Sequence, residues 1–311
     1  MKLIRYTADK KQDWDQFVAN AKNSHFMFYR DYMDYHSDRF KDFSLMFYDE
    51  KGKILGLLPA NIGGDVLYSH QGLTFGGFLI DTNLKTKSML ELFNVLKGYL
   101  LKQNIKKIIY KCIPYIYSSL PAEEDRYALY VNEASLIRRD VTTTILLDNK
   151  IKYQEQRKRA IKKAFKNGLI IEESSDYNSY WSILRDALRH QHNATPVHNE
   201  DEIKRLAQLF PNNIKLFVVK DDEKILAGTV IFENLDIVHT QYLASSEQGR
   251  KVGALDFVLD YLISNRYQNK KYFDFGISNE DDGKYLNEGL IAQKEGFGAR
   301  AVVHDFYEIR V

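Results

Sequence analysis

The 311-residue chain has one cysteine, Cys112, which excludes an internal disulfide and a cysteine-based zinc site. Five prolines and no low-complexity tract exclude a disordered or Pro-rich scaffold. No uninterrupted apolar run reaches the roughly 18 residues a membrane-spanning helix needs. The opening MKLIRYTADKKQDW is charged throughout and lacks an apolar core, so no secretory leader is expected and a cytoplasmic location is. A net charge of +2 gives no overall pull toward DNA or a membrane surface. The eight histidines are scattered without HExxH or another metal spacing, and His190 and His192 do not share a helix face. No metal is expected. A Ser-His-Asp pattern is missing, as is a Cys beside a His, so chemistry through an enzyme-bound nucleophile has no candidate.

What is present describes a globular protein. The chain is 44% hydrophobic, enough for a sizeable core, and its length suits about two domains. A weak repeat divides it. DEKGKILGLLPA (49–60) answers to DDEKILAGTVIF (221–232), and VLYSHQGLT (66–74) to VHTQYLAS (238–245). Amphipathic helices at about 86–102 and 254–266 follow, each leading to a lysine pair and a strand, KKIIYKC and KKYFDFG. Trp14 and Phe17 open the first unit on a helix; Tyr177, Tyr180 and Trp181 open the second. Each half reads helix, strand hairpin, strand, helix, strand, which implies an α/β (α+β) fold with two mixed twisted sheets flanked by helices. The expected domains are 1–148 and 149–311.

Between the halves, VTTTILL (141–147) reads as a strand and 150–169 as a helix that stops at Asn167-Gly168. Residues 150–166 hold eight Lys or Arg and one acid, whereas the rest of 149–311 is net acidic. Such a helix is either a solvated face or an anion site. In the second case Arg157, Arg159, Lys162 and Lys163 are the contacts for a substrate phosphate.

Asp274-Phe275-Gly276 spells the DFG of protein kinases, but no HRD occurs anywhere and no glycine pair forms GxGxxG. DFG is therefore read as a strand from Lys271 that closes at Asp274, with Gly276 turning the chain out. Upstream, the segment 235–263 reads strand, loop, helix. The loop SSEQGRKVGA can present backbone amides, and a helix from Ala254 offers its positive N-terminus, a combination suited to a diphosphate.

Strand, glycine-containing basic loop, helix and the strand KKYFDFG resemble the acyl-CoA-binding core of the GNAT N-acetyltransferase superfamily. Arg250-Lys251-Val252-Gly253 matches the first four positions of that family's loop pattern, and Leu255 departs at the sixth. TPVHNEDEIKRL, FPNNIKL, QYLASS, DFGIS and LNEGLIAQKEGFGAR resemble one branch, the FemAB-like proteins, which include peptidoglycan aminoacyl transferases and tandem-GNAT proteins. The resemblance is stronger over 150–311 than over 1–149.

That resemblance implies tandem GNAT-like domains and direct N-acyl transfer in a ternary complex. The donor is expected to be acyl-CoA, such as acetyl-CoA, bound by Gln241, Tyr242, Leu243, Gln248, Gly249, Arg250, Lys251, Gly253 and Ala254. Lys294, Asp274 and His198 are the candidate catalytic residues. Lys294→Ala is expected to abolish transfer with little loss of stability. Ser278, Asn279, Tyr285 and Asn287, with His70 and Gln71 from HQGLTFGG, are candidate substrate contacts. The acceptor is expected to be a nucleotide- or lipid-linked amino sugar held between the halves, with the first half acting as a support lobe. Tandem-GNAT members of the branch are often associated with envelope polysaccharide, and two alternatives stand beside this: an aminoacyl-tRNA-dependent peptidyl transferase of cell-envelope precursors, and a non-catalytic precursor-binding pseudoenzyme.

Overall fold

The computed structural model describes residues 1–192 and 195–311, without the side chains of 190–192. The chain forms two compact units. One comprises Met1–Asp140, Asn279–Tyr285 and Val303–Val311; the other comprises Val141–Ser278 and Leu286–Val302. Each unit is thus completed by a segment from the far side of the sequence.

The first unit opens with β1 (Lys2–Arg5), α1 (Lys11–Asn20) and α2 (Arg30–Met33). Next come β2 (Leu45–Tyr48), β3 (Ile54–Leu58), β4 (Asn61–Gly63), β5 (Val66–Tyr68), β6 (Leu79–Ile80), α3 (Thr86–Lys102), β7 (Lys107–Lys111) and α4 (Glu124–Val131). Strands β1-β2-β3-β6 form one antiparallel sheet; β4, β5 and β7 lie in that order in a second, mixed sheet, in which β7 also pairs with the chain's last strand, Arg300–Arg310. In α3 the residues Met89, Leu92, Phe93, Leu96 and Leu100 recur at helical spacing and are all buried. That apolar stripe makes α3 the crossover between the parallel strands β5 and β7.

The second unit takes the end of β8 (Ser135–Leu146) and adds α5 (Glu155–Lys166), β9 (Ile170–Ser174), α6 (Tyr177–His192), α7 (Glu200–Leu209), β10 (Ile214–Asp221), β11 (Lys224–Glu233) and β12 (Ile237–Ser245). Along the chain there follow α8 (Glu247–Val252), α9 (Ala254–Tyr261), β13 (Tyr272–Ile277), the short pair β14 (Asn279–Glu280) and β15 (Tyr285–Leu286), α10 (Glu288–Glu295) and β16 (Arg300–Arg310), of which β14 and the Val303–Arg310 part of β16 belong to the first unit. The sheet of the second unit runs β8-β13-β12-β11-β10-β9, antiparallel except for the β12–β13 pair. Ile225–Phe232 of β11 is buried on both faces, as a central strand must be. α7 starts at a capping box in which Asn199 and Glu202 satisfy each other's amides.

Two features depart from the sequence reading. The stretch 247–252 is a short helix capped by Ser246, not an open loop, and Gly253 separates it from α9. Asp274 does not close its strand but sits inside β13. Across from it, β8 advances two residues, Thr144 to Thr142, while β13 advances three, Asp274 to Ile277. Gly276, at φ +75°, absorbs the extra residue.

Gly253 holds the junction of α8, α9 and α5. Its φ is +80°, and a Cβ there would stand 2.4 Å from the Ala160 carbonyl oxygen. Gly253→Ala is therefore expected to cost at least about 2 kcal/mol, from left-handed backbone strain and backbone overlap together. Chemical denaturation measures this; an unchanged midpoint would contradict the packing.

Candidate active site

Strands β12 and β13 pair in parallel through Ile237↔Tyr272, Val238↔Phe273 and His239↔Asp274. Beyond the last pair both continue, β12 to Ser245 and β13 to Ile277, but they no longer pair. Against β11, the β12 register slips between Thr240 and Tyr242, which leaves Gln241 as the extra residue of a bulge. The strands thus part at a defined residue.

A cleft of about 630 Å³ lies along the end of β12. Its floor is Leu243, Ala244 and Ser245; Gly249, Arg250, Gly253, Leu255 and Asp256 form one wall, and α5 and α10 contribute Arg157 and Gln293. The first turn of α9 offers amides without intrahelical partners. Arg250 donates to the Ser245 carbonyl at 2.9 Å. Arg157 is not part of an exposed basic face as the sequence suggested: its guanidinium bonds Asp256 at 2.6 Å in the first turn of α9. Burial pushes the Asp256 carboxyl up, and Arg157 opposes that shift.

Of the expected donor contacts, Leu243, Gly249, Arg250 and Gly253 come together at this cleft. Gln248 and Lys251 point elsewhere, Gln248 to Lys224 and Lys251 to Glu247. Ala254 is fully buried beneath them. Tyr242 faces the other way and bonds His198 Nδ1 at 2.6 Å. His198 is buried, and its carbonyl accepts the Trp181 indole N–H at 3.1 Å. These contacts make His198 the anchor of the turn before α7. Burial raises the Tyr242 phenol to about 12.

At the parting point, Asp274 is fully buried yet fully partnered. Its Oδ1 accepts hydroxyl hydrogens from Thr142 at 2.5 Å and Thr144 at 2.9 Å, and its Oδ2 lies 2.6 Å from His239 Nδ1. Lys294 is buried beside it. Its ammonium donates to the carbonyls of Gly276 and Ile277, both at 2.8 Å, and to Ser278 Oγ at 2.9 Å. Those bonds use all three N–H groups to hold the end of β13. Burial pushes Lys294 down to about 8, against the pull of the Asp274 charge.

The other candidates are placed by local structure. Arg159, Lys162 and Lys163 are exposed on α5. Asn287 caps α10 by accepting from the Leu290 amide, and Ser278 is buried under Lys294. Asn279 bonds the Gly283 carbonyl at 3.3 Å within the first unit, where Tyr285 is exposed. Also in the first unit, His70 is buried and stacks on His36, and burial pushes it down to about 3. Gln71 is tied to Asn61 through both its side chain and its amide. The side chains of His190 and His192 lie outside the described residues. Among the described residues no group of His, Cys, Asp and Glu is arranged to hold a metal, and no helix is long and apolar enough to cross a membrane.

Sequence reasoning did not nominate His239, Thr142 or Thr144. The available signal was alternation: Thr142 and Thr144 lie two apart on one strand and so share a face. The pairing register that brings them to Asp274 is not written in the sequence.

Three carbonyl and hydroxyl partners depend on Lys294, so its loss is expected to lower stability, contrary to the sequence expectation. Lys294→Met should cost about 2–4 kcal/mol by leaving buried acceptors unpaired. The linkage sign is definite. The folded value lies near 8, below the ordinary 10.5, so the unfolded chain holds more protons between the two. This group therefore makes stability rise with pH from about 8 to 10.5, and Lys294→Met should flatten that rise. Denaturation midpoints at pH 8 and 10 check it; an unaltered slope would contradict the burial.

Residues 152–284 match the family model Acetyltransf_6, described as an acetyltransferase (GNAT) domain. No curated protein matches the sequence. Among solved structures, FemX is 12% identical with a TM-score of 0.68, covering 98% of this chain and 97% of FemX. L-PGS from Bacillus licheniformis is 13% identical with a TM-score of 0.65, covering 96% and 91% of the two chains. A tandem GNAT protein from the clavulanic acid biosynthesis pathway is 10% identical with a TM-score of 0.53 over 99% and 98%. At such identities the likeness is one of fold, and it extends over the whole chain. Residues 152–284 therefore match the model of an acetyltransferase (GNAT) domain, in a chain whose fold is similar from end to end to those of FemX and the tandem GNAT protein.

Proposed function

We propose that the second unit transfers an acyl group from a thioester donor, an acyl-CoA, to an amine. The observation that carries this reading is the parting of β12 and β13 beside a cleft that ends at Arg250 and the first turn of α9. Unpaired backbone at the parting can bind the donor's amide-bearing arm as an added strand would. Arg250 and the α9 amides suit its phosphates. Direct transfer needs the two reactants held together and a proton removed, with no enzyme-bound intermediate. The acceptor in this reading is an amino sugar linked to a nucleotide or lipid, with Arg159, Lys162 and Lys163 meeting its phosphate in the cytoplasm.

The first unit serves as a support lobe. Its parallel pair β5–β7 also ends after three rungs, at Tyr68↔Ile109. There the gap is laced shut. Ser69 N–H bonds the Ile109 carbonyl at 3.0 Å, and Lys111 N–H bonds Ser69 Oγ at 2.8 Å. The Lys111 ammonium also reaches the carbonyls of His70 and Leu73, at 3.0 and 2.7 Å. Lys111 stands two residues past the last rung, the place of Gly276 in the second unit. One chain is therefore expected to bind one donor.

A second reading, with aminoacyl-tRNA as donor, is favoured by one contact. The Arg157–Asp256 pair sets a carboxylate in the first turn of α9, where a diphosphate would otherwise lie.

Calorimetric titration and thermal shift with CoA, acetyl-CoA and longer acyl-CoAs test the choice. The acyl-CoA reading expects one site per chain and, at 100 times Kd, about 2.7 kcal/mol of added stability. Two sites would contradict the closed first unit. No binding of any of them would reject the thioester donor and leave charged tRNA as the ligand to titrate, with affinity falling steeply as salt rises.

A further inference from the structure

We propose that Asp256 is a specificity-determining residue of the Arg250 cleft: its carboxylate, paired with Arg157, opposes the binding of a diphosphate there. The inference rests on the reading above in which this cleft takes the donor's phosphates, and it adds what limits their hold.

The charged residues that line the cleft are Arg157, Arg250 and Asp256. Arg250 donates to the Ser245 carbonyl at 2.9 Å and has no carboxylate partner among the described residues. Arg157 differs. Its Nη1 donates to Asp256 Oδ1 at 2.6 Å, and the two side chains are only 13% and 12% exposed. A guanidinium is charged at any working pH, so this contact favours the ionised carboxylate and opposes the upward push of burial.

Asp256 is the third residue of α9 after the N-cap Gly253. In that turn the free amides and the helix dipole would otherwise draw an anion from the cleft. The Asp256 carboxylate already answers them from within, and it accepts from its own backbone amide. An arriving diphosphate therefore meets a fixed negative charge, and one of the two guanidiniums it could use is engaged. Two arginines less one carboxylate leave the lining with a single positive charge.

The pair is built in rather than swung in from the surface. The α5 backbone presses on Gly253, where a Cβ would stand 2.4 Å from the Ala160 carbonyl oxygen. At the end of α10, the Gly296 carbonyl accepts the Gln154 N–H at 2.8 Å, and a Cβ on Gly296 would come 3.3 Å from Arg157 Cγ. The Arg157 guanidinium lies 5.8 Å from the centre of the Phe297 ring. Arg157 is thus held between α9 and the end of α10, and it fixes the carboxylate in turn. A donor and the spent donor carry the same diphosphate, so this charge weakens both alike: it raises KM without assisting the chemical step, and it frees the spent donor.

Calorimetric titration of the full chain with CoA, inorganic pyrophosphate and pantetheine tests the proposal. CoA is the spent donor, and pantetheine is its phosphate-free arm. Asp256→Asn keeps an oxygen that can accept from Arg157 and loses the charge. It is expected to bind CoA and pyrophosphate about tenfold or more tighter than wild type, with pantetheine unchanged. Asp256→Glu, which keeps the charge, should show none of this gain. Asp256→Ser, suited to a first helical turn, serves beside Asp256→Asn should that variant unfold, and is expected to gain in the same direction. Equal or weaker binding of CoA and pyrophosphate in the folded neutral variant overturns the proposal. An equal gain for pantetheine also overturns it, since a widened cleft rather than a lost charge would then be the cause. If wild type binds no CoA while Asp256→Asn binds pyrophosphate, the thioester reading fails and this proposal stands. If neither form binds CoA or pyrophosphate, both fail.

Discussion

The second unit depends on one buried charge. A carboxylate removed from water is costly unless its oxygens are hydrogen-bonded, and Asp274 meets that condition by drawing partners from both neighbouring strands. Thr142 and Thr144 fix it against β8, and His239 fixes it against β12. The parallel pairing of β12 and β13 stops at this residue. The same contact that closes the sheet on one side thus marks where it opens on the other. Lys294 supports the arrangement from beneath, tying the β13 terminus through Gly276, Ile277 and Ser278 so that the strand does not fall back onto β12.

The two units apply one topology to different ends. Each has a helix, an antiparallel hairpin and a parallel pair joined by a crossover helix, and each parallel ladder is three rungs long. The difference lies two residues past the last rung. Lysine at that place in the first unit spends its ammonium on nearby carbonyls; the second unit has a glycine there, with φ +75°.

The sequence made some of this legible. The repeat, the strands KKIIYKC and KKYFDFG, and the helices between them follow from periodicity and punctuation. Gly276 was visible as a position where the chain turns, and its φ is positive. Other features were hidden for physical reasons. Residues 247–252 carry a glycine, four polar residues and one valine, which read as loop, yet Ser246 caps them into a helix. Lys294 stood out as a motif residue, but not its three internal partners, because they lie 16 to 18 residues away along a strand end. Arg157 looked like one cation among many until α9 supplied Asp256. The Asp274–His239 contact spans 35 residues and depends on register, which local pattern does not specify.

The central claim is that the donor enters the second unit alone, between Arg250 and the parting of β12 and β13. Hydrogen–deuterium exchange with and without saturating acetyl-CoA tests it most directly. Added protection is expected to be confined to about Gln241–Asp256 and the end of β13, with none in Tyr68–Lys111. Protection in Tyr68–Lys111, or protection that spares Gln241–Asp256, would contradict it.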